Sequence, residues 1–180
     1  MVEAERKRIW TDVNVRDEGH EHYADIAELQ LDQGITTRLL TGTALVATWA
    51  TYQSVVTQTA RRLRTAQNVQ RDLETRRSFR ENARTYFADE LHIDLHPPDT
   101  DWNRLMVVNV VRDVFAHANG QIDNVREKDR KRIEKWAETF VGLTISDGYL
   151  VVSIDFVRHT FDFVSRLLYD LEDRVNRLSA

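Results

Sequence analysis

Between Trp102 and Gly120 the chain reads W-N-R-L-M-V-V-N-V-V-R-D-V-F-A-H-A-N-G, and three residues in it can do chemistry: Arg112, Asp113 and His117. A guanidinium carries a permanent charge and a fixed fork of donors, and an imidazole titrates near neutrality. Together they supply a cation and a proton carrier. Around them Leu105, Met106, Val107, Val108, Val110, Val111, Val114 and Phe115 cover almost every side of a helix. A helix apolar all round sits inside a protein or between subunits. Burying a guanidinium there without a partner costs roughly several kcal/mol. Asp113, another subunit, or a water-filled cleft built for a phosphate could each solvate it. The plainer account is a surface ion pair of Arg112 with Asp113, and a His117 that favours the dipole in the last helical turn.

Other chemistry-bearing groups are weaker. From Arg61 to Arg84 eight arginines face three acids, Asp72, Glu74 and Glu81, leaving five net positive charges. Arg77, Arg80 and Arg84 share one helical side at i, i+3 and i+7, a candidate track for an RNA backbone beside Asn119; a solvated helix face is the alternative. Lys128, Arg130, Lys131, Arg132 and Lys135 alternate with acids and read as solvent-facing. His92 and His96 have zinc-binding spacing, but Pro97 and Pro98 end the helix there and no Glu follows His92. His20 and His22 flank Glu21 in a polar segment, and His159 fits a capping or surface role. No metal site and no cofactor is expected. No Gly-rich phosphate loop or nucleophile elbow is present.

The elements that must position Arg112 and His117 are helical. Residues 1–19 are polar and weakly periodic, read as a short peripheral helix and a loop, and 21–33 as a second helix. Over 35–63 the stripe Ile35, Leu39, Gly42, Val46, Trp49, Tyr52, Val56, Thr59 and Leu63 steps by three and four, and Gly42 permits a close helix–helix approach. A further helix is expected over 73–91, stopped by His96-Pro97-Pro98. Asp99, Thr100 or Asp101 would cap the motif helix, and Asn119-Gly120 would close it in the left-handed region. A short helix follows at 128–141, with Ile133, Trp136, Ala137 and Phe140 inward. Asp147-Gly148, between Leu143-Thr144-Ile145 and Tyr149-Leu150-Val151-Val152, marks a two-residue hairpin. The last helix, 155–178, buries Phe156, Thr160, Phe163, Leu167, Leu171, Val175 and Leu178, with Ser153 or Asp155 as its N-cap.

Composition bounds these readings. The 180 residues hold 42% hydrophobic and 30% charged side chains, a globular balance, with only six Gly and two Pro. No cysteine is present, which excludes disulfides and thiolate zinc sites. A net charge of −4 argues against whole-molecule steering to nucleic acid, so any RNA contact must be local. Glu3, Glu5, Arg6, Lys7 and Arg8 interrupt the first ten residues, unlike a signal peptide, and no run of 18 apolar residues occurs. A single soluble domain over 1–180, cytoplasmic and without a membrane partner, is the expectation.

Arg112-Asp113-Val114-Phe115-Ala116-His117 matches the R-x4-6-H motif of HEPN domains, and the succession of Asn119-Gly120 turn, short helix, hairpin and closing helix matches many members of that superfamily. Across roughly 35–178 the chain resembles the small stand-alone HEPN proteins. The resemblance implies an all-α, HEPN-like helical bundle with one small β-hairpin before the C-terminal helix. It also implies a homodimer that brings two motifs together across a two-fold axis. Such domains commonly cut RNA without a metal, the ribose 2′-hydroxyl attacking the adjacent phosphate. His117 would then move protons and Arg112 would brace the phosphate oxygens. The implied activity is that of an endoribonuclease, a toxin or anti-phage defence effector, with a neutralising antitoxin or partner enzyme as a further binding partner. Members with this chemistry usually carry Asn, sometimes His or Asp, directly after the arginine. Asp113 in that place favours a second expectation, a non-catalytic interaction module acting as scaffold, partner subunit or antitoxin. Asn119 stands where one subgroup carries a modifiable tyrosine, so that mode of silencing is not expected.

Overall fold

The computed structural model describes the backbone of residues 2–75, 78–95 and 99–178, and the side chains of 34–75, 78–95 and 99–177. Arg77, the side chains of His20 and His22, and the His96-Pro97-Pro98 stop therefore lie outside the described residues. The elements run α1 (Val2–Gln67), α2 (Phe79–Asp89), α3 (Asp99–Ala118), a 3-10 turn (Ile122–Asn124), α4 (Glu127–Thr139), β1 (Leu143–Ser146), β2 (Tyr149–Val152) and α5 (Ile154–Leu178). The expected class, helical with one small antiparallel hairpin before the C-terminal helix, is the one observed. Two units are distinguished, Met1–Leu39 and Leu40–Ala180. The first is helical from residue 2 onward; the second holds every element that bears on Arg112 and His117.

Where a broken start was expected, α1 is continuous from Val2 to Gln67. No proline falls within it, and each of its glycines costs a helix only about 1 kcal/mol, too little to end one that is packed elsewhere. Its end is a Schellman motif: Asn68 takes φ 54°, the Val69 amide donates to the Arg64 carbonyl at 3.0 Å, and the Asn68 amide to Thr65 at 3.4 Å. The buried stripe of α1 is Leu45, Trp49, Tyr52, Val56, Ala60 and Leu63, whereas Ile35 and Leu39 are exposed, contrary to the sequence expectation.

The helix expected over 73–91 is shorter. Residues 69–75 are irregular because side chains from elsewhere take up their carbonyls: Tyr86 Oη donates to Arg71 at 2.9 Å, Arg64 Nε to Val69 at 3.2 Å and Gln53 Nε2 to Thr75 at 3.4 Å. Ser78 at φ 53° then precedes α2, which buries Phe79, Ala83, Tyr86 and Phe87.

Two apolar clusters meet at α3. One gathers α1, α2 and α5 around Leu105 and Val108; the other gathers α4, the hairpin and Phe156 around Val107, Val110, Val111, Val114 and Phe115. That double engagement is why α3 is apolar on nearly all sides. Asp99, Thr100 and Asp101 fall in its first turn instead of capping it. Asp101 accepts both Arg166 terminal nitrogens, at 2.8 and 2.9 Å, tying α3 to α5.

The far end of α3 is fixed by the hairpin. Asn119 (φ 51°) and Gly120 (φ 85°) reverse the chain as expected, and the Gly120 amide returns to the Val114 carbonyl at 3.1 Å. β1 and β2 pair in the register Ser146↔Tyr149 to Leu143↔Val152 across Asp147 (φ 51°) and Gly148 (φ 77°), the two positive φ values a type I′ turn requires. The hairpin docks on the α3 turn, the Leu150 amide donating to Gly120 at 2.8 Å and the Ile122 amide to Gly148 at 2.9 Å.

Ser153 caps α5, its Oγ accepting the Phe156 amide at 3.1 Å. Ser153→Ala is expected to lower stability by about 1 kcal/mol with little effect from Ser153→Asp, read from urea unfolding midpoints. An Ala variant as stable as the parent would show the cap to be idle.

Candidate active site

Arg112, Asp113 and His117 lie on the last two turns of α3, so one rigid element presents all three. Arg112 Nη1 meets Asp113 Oδ1 at 2.7 Å, and the guanidinium lies 5.1 Å from the centre of the Trp49 ring on α1. Its side chain is only 18% exposed, and its Nε is enclosed with no hydrogen-bond acceptor among the described residues. His117, one turn on, is 76% exposed, with Nε2 4.0 Å from the same Asp113 oxygen. The second Asp113 oxygen accepts Asn109 Nδ2 at 3.4 Å. Asp113 thus stands between the cation and the imidazole.

Both charges of the ion pair are held against burial. Desolvation lowers the Arg112 affinity for its proton more than Asp113 restores it. Desolvation likewise raises the Asp113 carboxyl above the usual carboxylate range, against the downward pull of Arg112 and His117 and with a further push from Asp129. A pair whose shifts both run against its charged forms is poor evidence for a stabilising device. A carboxyl raised by burial beside an exposed imidazole is a pattern found at functional sites as well as in structural ion pairs.

The cleft holds about 390 Å³ and is lined by Val110, Asp113, Val114, His117 and Ala118 of α3, and by Asn124, Val125, Arg126 and Asp129. Arg112 is not among its lining residues. Sequence reasoning missed Asn124, Arg126 and Asp129. The signal was there in outline: a chain that reverses at Asn119-Gly120 and starts a helix at Glu127 must bring the residues between them back beside the last turn of α3. A larger cleft of about 460 Å³, lined by Val55, Thr59, Arg62, Tyr169, Glu172 and others, contains none of the expected site residues.

Of the candidate arginine track, Arg80 and Arg84 are engaged within the protein. Arg80 and Arg84 place their guanidiniums 4.5 and 4.8 Å from the Trp102 ring centre. Arg80 also pairs with Glu81, and Arg84 with Asp99 at 3.5 Å. Trp102 lies ten residues before Arg112, about 15 Å away along α3, so these arginines are not brought to the Arg112–His117 pair. Asn119 sits in the turn that ends α3, two residues past His117. Among the described residues no group of three or more His, Asp or Glu is placed to hold a metal ion, and no helix is long and apolar enough to cross a membrane.

Comparisons of the chain with protein-family models, with curated proteins and with solved structures return no match, so the HEPN resemblance rests on the motif and the order of elements alone.

Proposed function

We propose that the chain is a metal-independent endoribonuclease of HEPN type, acting as a homodimer in the cytoplasm as a toxin or anti-phage defence effector. The observation that carries this reading is one stretch of α3 that offers an exposed imidazole at a cleft and, behind it, a carboxylate-held guanidinium. In a two-copy site one His117 accepts the proton of the ribose 2′-hydroxyl. The 2′-oxygen attacks phosphorus, the 5′-oxygen leaves, and the other His117 gives that oxygen its proton. The products are a 2′,3′-cyclic phosphate and a 5′-hydroxyl. Arg112 braces the charge that builds on the phosphate oxygens.

A second reading, a non-catalytic interaction module, is favoured by the Arg112–Asp113 ion pair, which neutralises the guanidinium within its own chain. The two part on one experiment. The purified chain is expected to cleave single-stranded RNA in the presence of EDTA, leaving 2′,3′-cyclic phosphate ends, and Arg112→Ala is expected to lower the rate by about 10²–10³. Intact RNA after incubation with folded protein would leave only the interaction module. A monomer by light scattering at working concentration would remove the two-copy site.

A further inference from the structure

The cleft beside His117 has a charge pattern that the Arg112–His117 pair alone does not explain. Its two carboxylates already have partners: Asp113 is held by Arg112 at 2.7 Å, and Asp129 by Arg132 at 3.5 Å. Arg126 lines the same wall, is exposed, and has no acidic or carbonyl partner for its guanidinium among the described residues. The fold does not use that side chain either. Its backbone carbonyl receives the Asp129 and Arg130 amides at 2.9 Å each and so opens α4, while the side chain makes no capping hydrogen bond. The cleft therefore contains two acids that already have cationic partners, an imidazole and one uncommitted cation, with the Asn124 amide beside it.

We infer that Arg126 is the residue through which the cleft holds a phosphate of single-stranded RNA next to His117. This rests on the ribonuclease reading for the identity of the ligand. Arg112 spends a terminal nitrogen on Asp113 and does not line the cleft, so holding the phosphate there before reaction falls to another cation. Arg126 can offer a fork of donors to phosphate oxygens without breaking any contact. Asn124 lines the same cleft, its Nδ2 donating to Gln121 Oε1 at 2.8 Å.

The test uses the full chain and a mixed-sequence RNA oligonucleotide with methylated 2′-oxygens, which binds without supplying a nucleophile. Affinity is read by fluorescence anisotropy across a salt series, alongside cleavage of the unmethylated oligonucleotide. Arg126→Ala is expected to weaken binding about tenfold and to flatten the dependence of log affinity on log salt by about 0.7. Lys128→Ala removes the same charge two residues away, outside the cleft lining, and is expected to leave the slope unchanged. Equal affinity and slope in the Arg126 and Lys128 variants would overturn the inference, as would a wild-type chain that does not bind the probe. Binding that depends on Arg126 in a chain that cuts no RNA would strike the nuclease reading and leave the phosphate contact standing.

Discussion

His117→Ala is expected to cut the rate of RNA cleavage by about 10²–10⁴ while leaving the unfolding transition where it was. The two halves of that result have separate causes. The imidazole is 76% exposed and its nearest charged neighbour is Asp113 at 4.0 Å, so little packing is lost with it. Surface substitutions of this kind stay within about 0.5 kcal/mol of the parent. The proton transfers, in contrast, have no other carrier on the cleft wall, where the remaining polar groups are amides, arginine and carboxylates already in ion pairs. Added imidazole should restore part of the rate in the Ala variant, a rescue that a structural role would not produce. Wild-type cleavage by His117→Ala would remove this residue from the chemistry.

The chemistry-bearing helix was legible because its composition is extreme. A helix apolar on nearly every side has to lie between two packed groups, and α3 does, with Leu105 and Val108 on one and Val110, Val111 and Val114 on the other. The hairpin was legible for a local reason: Asp147 and Gly148 both need positive φ, and few residue pairs accept that. What escaped the sequence depends on partners distant along the chain. Residues 69–75 lose their helix to donors from Gln53 and Tyr86, 22 and 15 residues away, which a short window cannot see, together with the nearby Arg64. Arg80 and Arg84 have the spacing of a basic track, yet Trp102, some twenty residues away, draws both guanidiniums onto its ring. Arg126 carries no motif, and its importance comes from the reversal that sets it against His117.

The same dependence on a distant partner explains how α1 fixes the motif. Gly42, Leu45 and Trp49 follow at i, i+3 and i+7, one face of α1, and that face meets the motif residues themselves. Leu45 joins the cluster around Val111 and Val114, Trp49 faces Arg112, and Gly42 lies against Phe115, which sits inside the Arg112–His117 segment. Position within the sequence suggested a close approach at Gly42; the geometry makes it obligatory. The enclosed Arg112 Nε and the opposed shifts of Arg112 and Asp113 show a charged pair packed where burial disfavours it. The contact of Arg112 with the Trp49 ring keeps its geometry only if α3 cannot slide on α1.

Gly42→Ala is therefore expected to destabilise the protein even though alanine is the better helix former. On propensity alone the change would gain about 1 kcal/mol. Against that, a Cβ at Gly42 would overlap the Phe115 ring, coming within 2.7 Å of Cγ and 2.8 Å of Cε1. Cγ is anchored close to the α3 backbone and Phe115 is 9% exposed within a packed cluster, so the ring cannot swing aside without moving the helix. Overpacking of this kind costs about 1–3 kcal/mol, and the contact is close enough to place it at the upper end. A net loss of about 1–2 kcal/mol would lower Tm by several degrees, at about 2–4 °C per kcal/mol for a chain of this length. Cleavage should fall with it, since the displaced turn carries Arg112, Asp113 and His117. Phe115→Leu opens the space, so the double variant should be more stable than the two single losses predict, by about 1 kcal/mol of coupling. A Gly42→Ala protein with a raised Tm, or strictly additive losses in the double variant, would mean that α1 does not set the position of the motif.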